Sequence, residues 1–468
     1  MKNESRPSRS VVFLALLAAG LGLGFSCDKS INDSTVSVLV TVRSSLGDNN
    51  QQSGGDAVSL DSRVVSISAD GRYIAFATKA PNLVAGDNNG AVDVFLRDMV
   101  TRTTALVSVN RFGTGTGDGA SSAPTISADG RYVAFRSAAT NLHADDPDTT
   151  GDIYVRDVVA GTTLLVSRFS GPAGDKANGV CENPMISTDG RYVTFDSRAT
   201  NLDGTDVPGD TDSDTAADIY RRELTGFLLT ELVSRRSLAV DNVKGNAASR
   251  APRISGDGRY IVFESDATNL VTNAAEGGPD GNPATDCFVR DMDTDFTRRV
   301  SLTLAGGNPN GVCTTPFISN DGRFVVFRSL ASNLHPDDDG PEPDIFLFDT
   351  TTLNILIVSQ HTFGTQAGQG CDVPVLTGDG QFVVFQSPSP SLVNGDTNTS
   401  IDIFRHNRLT RETERMSVST YGLELNGNSQ RPAVTTDGSY VVFVTDATNA
   451  ADDDTNGAVD VYLRGPPR

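Results

Sequence analysis

The sequence predicts an all-β fold, a seven-bladed β-propeller of four-stranded antiparallel blades, and three observations carry that expectation. An Asp-Gly pair recurs seven times, at Asp70, Asp129, Asp189, Asp257, Asp321, Asp379 and Asp437, at intervals of 59, 60, 68, 64, 58 and 58 residues. Every pair sits in the same order of short apolar runs and turns. The last unit stops one run short, while an unmatched run lies ahead of the first.

Unit two shows the order. "PTIS" comes before Asp129 and "RYVAF" after Gly130; a polar loop, "DIYVRD", an "AGTT" turn, "LLVS" and a long Gly/Asn/Ser-rich link follow. Each run is four to six residues long, rich in Val, Ile, Tyr, Phe and Thr, and bounded by turn residues, which is a strand signature. Asp-Gly between two such runs predicts a two-residue hairpin, because glycine accepts the positive φ that turn needs. In "RYVAF", Tyr132 and Ala134 point one way and Val133 and Phe135 the other, so both faces of the strand are apolar and need cover. Sheets packed radially around an axis supply it and leave only short edges. After Asp460–Arg464 unit seven ends at "GPPR" without an "LLVS" strand, and "SVLVTV" (Ser37–Val42) precedes unit one. The N-terminal strand is therefore expected to complete the last blade and close the ring, where a solenoid would have unmatched caps.

"ISADGRYVAF", "TNL", "DIYVRD" and "LVS" resemble the WD-repeat-like propeller units of the TolB type, common in secreted bacterial proteins. The resemblance covers Ser37–Arg468 and implies the fold. In TolB the propeller is a periplasmic docking platform behind an α/β domain for which this chain has no room, so that specific role does not carry over.

The first residues read as a targeting segment. Lys2, Arg6 and Arg9 form a basic start and Val11–Phe25 an apolar run, too short for an ordinary membrane span and suited to secretion. The small residues before Cys27 resemble a bacterial lipobox, although Gly24 stands where leucine is usual; this implies cleavage before Cys27 and lipidation of its sulfur, with secretion of an unlipidated chain as the alternative. The expected division is a signal peptide over 1–26, a tether over 27–36 and the propeller over 37–468, facing the periplasm or cell surface.

Composition narrows the partners. With 59 acidic and 38 basic residues, a formal charge of −21 and no basic cluster in its body, the chain lacks the positive surface that phosphate backbones require. Cations and basic partners are its natural counterparts. Four cysteines remain after Cys27: Cys181, Cys287, Cys313 and Cys371. None forms a CxxC pair, and Cys313 with Cys371, in adjacent units, is the pair to examine for a disulfide.

The loop between strands two and three carries the sharpest pattern, acidic or amide side chains at fixed offsets from the Asp that opens strand three. They are Asp87, Asn89 and Asp93 in unit one, Asp146, Asp148 and Asp152 in unit two, Asp212, Asp214 and Asp218 in unit three, and Asp280, Asn282 and Asp286 in unit four. Unit five has Asp338 and Asp344, with Gly340 between; unit six Asp396, Asn398 and Asp402; unit seven Asp454, Asn456 and Asp460. Carboxylates at alternate positions suit a hard divalent cation, calcium above all, which takes six to eight oxygens. The competing reading is that Asp, Asn and Gly are there as turn formers. A second recurring slot precedes strand one, six residues before the serine of "IS" or its counterpart, and holds Ser62, Ser121, Cys181, Ser249, Cys313, Cys371 and Ser429, expected to ring the mouth of the central channel either as the only side chains small enough to fit or as a ligand-reading ring.

Catalytic constellations are thin. The histidines are His143, His335, His361 and His406, and no GxSxG, HExxH or phosphate loop is present. The arginine after Asp-Gly (Arg72, Arg131, Arg191, Arg259, Arg323) reads as a solvated or strand-pairing residue. The primary expectation is a non-catalytic propeller, monomeric and touching the membrane only through its anchor, that binds a protein or saccharide through its loop-rich acidic face. The alternative is a hydrolase or lyase acting on a saccharide or peptide at the channel mouth; a third reading is an envelope protein without a discrete ligand.

Overall fold

The computed structural model describes residues 40–44, 46, 65–202, 216–237, 243–338, 340–452 and 454–466. Among them, seven four-stranded antiparallel sheets follow one another along the chain, and the inner strand of the first touches that of the seventh. This is the closed seven-bladed propeller. Val40–Arg43 is the outer strand of blade seven, beside Asp460–Gly465, with Val40 opposite Gly465 and Arg43 opposite Tyr462.

Blade two runs outward from the axis as Ser121–Ile126, Tyr132–Ser137, Asp152–Asp157 and Thr162–Leu165. The two-sided pattern of "RYVAF" works as its alternation requires. Val133 and Phe135 pack toward blade one against Ala75, Ala77 and Val94, while Ala134 packs toward blade three against Val193 and Phe195. Side chains of this size stabilise by about 1.5–3 kcal/mol each when fully buried. One aromatic pair ties strands two and three in every blade, for example Phe135 and Tyr154 with centroids 5.8 Å apart.

The Asp-Gly turn differs from the two-residue hairpin expected. Gly71 N–H donates to Ser68 O at 2.9 Å and Ser68 N–H to Tyr73 O at 2.9 Å, so the loop is a four-residue type I turn ending on a left-handed glycine, φ +72°. The side chains choose it: Asp70 Oδ1 accepts from the Ser68 hydroxyl at 2.6 Å and from Arg72 N–H at 2.9 Å. The glycine is needed for a second reason. A Cβ on Gly130 would lie 2.2 Å from the Tyr73 ring, and one on Gly322 2.0 Å from the Tyr260 ring. The Gly and Tyr of "DGRY" are thus complementary across blades, the tyrosine of one covering the glycine of the next.

Strand four would leave a bare sheet edge, a hazard for edge-to-edge association. In blade three the link from blade two covers it: Thr230 N–H donates to Ser170 Oγ at 2.9 Å and Thr230 Oγ1 to Arg168 O at 2.7 Å, while Arg222 donates to Phe169 O at 2.8 Å and Gly171 O at 2.9 Å. Thr297 and Arg290 grip Arg235 O and Arg236 O in the same way in blade four. The links therefore divide between the loop face and the outer rim, rather than lying wholly on one face as the strand order alone suggested.

Candidate functional site

The last Asp of each loop opens strand three and is buried throughout, from Asp93 at 0% exposure to Asp344 at 4%. The serine of "LVS" holds one of its oxygens. Ser108 Oγ donates to Asp93 Oδ1 at 2.6 Å and accepts Val94 N–H at 3.1 Å; Ser167 with Asp152, Ser234 with Asp218, Ser301 with Asp286 and Ser359 with Asp344 repeat the contact at 2.6–2.7 Å, and Ser417 repeats it with Asp402. The other oxygen faces the first Asp of the loop, and together they make a carboxylate slot.

Five slots hold a basic side chain. In blade two Lys176 Nζ lies 2.8 Å from Asp152, 3.1 Å from Asp148 and 3.6 Å from Asp146. In blade three Lys244 Nζ is 2.7 Å from Asp218. In blade four Arg299 is 3.2 Å from Asp280 and 3.3 Å from Asp286. In blade six Arg415 is 3.3 Å from Asp396, 3.5 Å from Asp402 and 2.7 Å from Glu424. In blade seven Arg43, from the closing strand, is 3.2 Å from Asp454 and 3.7 Å from Asp460. The lysines come from the link and the arginines from the end of strand four. A metal ion in these blades would have to displace a cation the chain already supplies. Burial still pushes Asp93, Asp152, Asp286 and Asp402 up to about 6, against the lowering effect of their partners.

The middle position works as a turn former and tie. Asn89, Asn282 and Asn398 each accept the N–H two residues on at 2.7–2.8 Å and donate to the link carbonyls of Gly117, Pro309 and Leu425, and Asn456 accepts Ala458 N–H. Blade five has Asp338 and Asp344 without the middle amide, and Gln366 in the position of Lys176. Asp146, Asp148 and Asp152, and Asp396, Asp402 and Glu424, are carboxylate triads with oxygens within 4.8 Å of one another; Glu424, on the link, lies outside the loop spacing that a sequence motif registers. Cys27, Ser62, Asp212 and Asp214 lie outside the described residues.

The small-residue slot is corrected. Ser121, Cys181, Ser249, Cys313, Cys371 and Ser429 are all 0% exposed, turned into the packing between blades, not toward the channel. Ser121 Oγ donates to Ser137 Oγ at 2.9 Å, Cys181 Sγ meets Ser197 Oγ at 3.1 Å and Cys313 Sγ meets Ser329 Oγ at 3.1 Å. In blades two to seven a bulge further along the inner strand resets which residues face the axis. All four described cysteines are free and buried, and burial pushes the Cys313 thiol up to about 12.

The channel is narrow and its walls are mixed. Its cavity is about 180 Å³, walled by apolar residues such as Ile126, Ile186, Ile254 and Phe317 and by polar ones that include Arg253 and Arg431. At the turn end the second residues of successive turns are joined by backbone hydrogen bonds, Gly256 to Asn320 at 3.0 Å and Asn320 to Gly378 at 2.9 Å. The Asn320 side chain reaches blade three, where it accepts from Thr188 Oγ1 at 3.1 Å. At the loop end the bulge residues Thr315 and Val373 are left-handed, φ +50° and +49°, a costly conformation for β-branched residues. The neighbouring blade braces them: Thr315 N–H donates to Glu264 Oε2 at 3.2 Å, and Arg328 lies 3.6 Å from Asp372. Sequence reasoning missed this ring of inter-blade contacts. Its signal was the strand-two position that turns charged or amide in five of the units, Arg136, Asp196, Glu264, Arg328 and Gln386.

The four histidines do not converge: His406 is buried in strand three of blade six and pushed down to about 4, and His143 and His335 stand in the loops of separate blades. Four of the arginines after Asp-Gly pair with the end of strand three, Arg72 with Asp98, Arg131 with Asp157 and Arg259 with Asp291 at 2.7 Å and Arg323 with Asp349 at 2.8 Å, while Arg191 lies 3.7 Å from Asp189 of its own turn.

No protein-family model matches the chain, and no curated protein matches it. Among solved structures, an oligogalacturonate lyase in complex with manganese is similar at 14% identity and a TM-score of 0.50, over 95% of this chain and 97% of that one. A second oligogalacturonate lyase, from Vibrio parahaemolyticus, is similar at 13% identity and a TM-score of 0.50, over 95% and 98%. TolB from Acinetobacter baumannii aligns at 14% identity and a TM-score of 0.38, over 80% and 76%. At these identities the likeness is one of fold: the chain is a seven-bladed β-propeller of the architecture that the repeat's resemblance implied.

Proposed function

We propose that the chain is a non-catalytic extracytoplasmic binding propeller whose loop face docks a protein or saccharide partner. The observation that carries this reading is the channel. Ligand pockets usually have about 300–1,000 Å³, whereas this cavity, at about 180 Å³, is smaller, has mixed apolar and polar walls, and is crossed at its turn end by Asn320. That leaves the loop face, where the buried carboxylates are largely neutralised from within and the outer ones, Asp118, Asp145, Asp337 and Asp452, are exposed. An acidic rim on a rigid scaffold favours a basic contact surface. The N-terminal segment supports a place in the bacterial envelope, lipid-anchored through Cys27, and the loop spacing supports calcium as an ordering cation only in a blade whose slot holds no lysine or arginine.

Two observations favour the enzyme reading: Arg253 and Arg431 line the channel, and beside the inner strands of blades three and four lies the buried Asp196, which burial pushes up to about 6. Its carboxylate, however, accepts from Asn183 Nδ2 at 2.8 Å and braces the ring. A galacturonate, the ligand class of the similar lyases, would also bring carboxylates to an acidic rim. Affinity capture from native envelopes, with the parent and with a variant carrying Asp118→Lys, Asp145→Lys and Asp337→Lys, tests the proposal. A saturable partner lost in the variant is expected; capture unchanged by the three charge reversals would overturn it. Palmitate labelling that persists in Cys27→Ser would overturn the anchor.

A further inference from the structure

We propose that blade one binds a divalent metal ion, calcium by its donor set, in the place where five other blades hold their own lysine or arginine. The two positions that supply those cations are known from the other blades. At the end of strand four, where blades four, six and seven have Arg299, Arg415 and Arg43, blade one has Leu106, opposite Phe95 as Arg299 is opposite Phe288. On the link, where blades two and three have Lys176 and Lys244, blade one has Thr116; each residue closes the same small bridge, Val109 with Thr116, Arg168 with Lys176 and Arg235 with Lys244. The carboxylates are nevertheless retained.

The buried geometry points to a missing positive charge. Asp87 is 8% exposed and its Oδ2 is fully enclosed without a hydrogen-bond partner. Asp93 is 0% exposed and feels the Asp87 charge directly. Two buried carboxylates facing each other, with no cation between them among the described residues, are costly. The Asn89 amide stands in the gap, its Nδ2 donating to Asp93 Oδ2 at 2.8 Å and to Gly117 O at 2.9 Å. A cation displacing that amide group meets oxygen from Asp87, Asp93 and Gly117, and a turned Asn89 adds its own carbonyl. An all-oxygen set with two carboxylates suits calcium, with water completing the shell.

The inference deepens the cation-ordered part of the proposed function and is independent of any partner. Its test is calorimetric titration of Ca²⁺ into the full chain, the parent beside Thr116→Lys and Leu106→Arg, which install the two solutions used by the other blades. The expected result is saturable uptake by the parent, one equivalent fewer in each variant, and a higher melting temperature for each variant without Ca²⁺. Asp87→Asn, which keeps the side-chain shape, should also lose that equivalent and covers the case of a variant that does not fold. Absence of uptake by the parent, or a stoichiometry unchanged in the variants, would overturn the proposal. Loss of the metal with partner capture intact would leave the docking reading standing, and the reverse would leave this one.

Discussion

Lys176 Nζ sits 2.8 Å from Asp152 Oδ2, and neither side chain has a comparable alternative partner outside its own blade. Removing one member of a buried ion pair strands the other, at about 3–5 kcal/mol. Lys176→Met is therefore expected to lower the denaturation midpoint substantially at pH 8. Because a stranded Asp152 takes up a proton more readily, much of the loss should be recovered at pH 5. A Lys176→Met midpoint equal to that of the parent at pH 8 would show that the slot contributes nothing to stability.

Gly130 and Tyr73 give a second prediction. Gly130 has φ +73° and its absent Cβ would lie 2.2 Å from the ring, whereas Gly113 has φ +70° and open space around it. Gly113→Ala should cost only the backbone strain, about 1–2 kcal/mol, and Gly130→Ala clearly more. In the double variant with Tyr73→Ala the two losses should sum to less than their parts, because the clash is gone. Equal costs for the two glycines, measured by urea denaturation, would refute the inter-blade account of the repeat.

How far the sequence could be read follows from what repeats. Strands and closure were legible because alternation and turn residues are local, and "RYVAF" packs in both directions as its pattern requires. The acidic loops were legible as a pattern but not in their use. Lys176 lies 24 residues after Asp152 and Arg43 lies 417 residues before Asp460, and no spacing rule links such residues until the blade is folded. The serine and cysteine slot at Ser121 and Cys181 was misplaced for a different reason: a bulge later in the strand reverses which residues face the axis, and nothing in "SSAPTI" marks it beyond the proline. The arginine of "DIYVRD" carries no mark of its role in the sequence, yet in Arg222 and Arg290 it is the buried grip on the preceding link.

The pH dependence of stability has a direction that can be worked out. Asp93, Asp152, Asp286 and Asp402 are raised to about 6 when folded, so between pH 4 and 6 the folded chain binds more protons than the unfolded one, and their contribution falls as pH rises through that window. Asp98 and Asp349, held at about 2 by Arg72 and Arg323 against burial, act oppositely: their contribution is present above pH 4 and lost as pH falls toward 2. In calcium-free buffer the urea midpoint should therefore be highest near about pH 4 and decline toward about pH 6. A midpoint climbing steadily from pH 4 to 8 would contradict the buried, protonatable slots.

The closing strand is tested through Arg43. Its guanidinium is fully buried against Asp454 and Asp460, whereas Arg72 in its pair with Asp98 is 37% exposed. Exposed pairs contribute about 0–1 kcal/mol, and truncation of a buried one costs about 3–5 kcal/mol, so Arg43→Ala should destabilise far more than Arg72→Ala. The effect should also be local before it is global. Amides of Asp460–Gly465, paired to the closing strand, should exchange hydrogen faster in Arg43→Ala than those of Asp152–Asp157 in blade two, because the ring opens first at its one non-covalent seam. Uniform acceleration across both strands would mean that the seam is no weaker than any other blade.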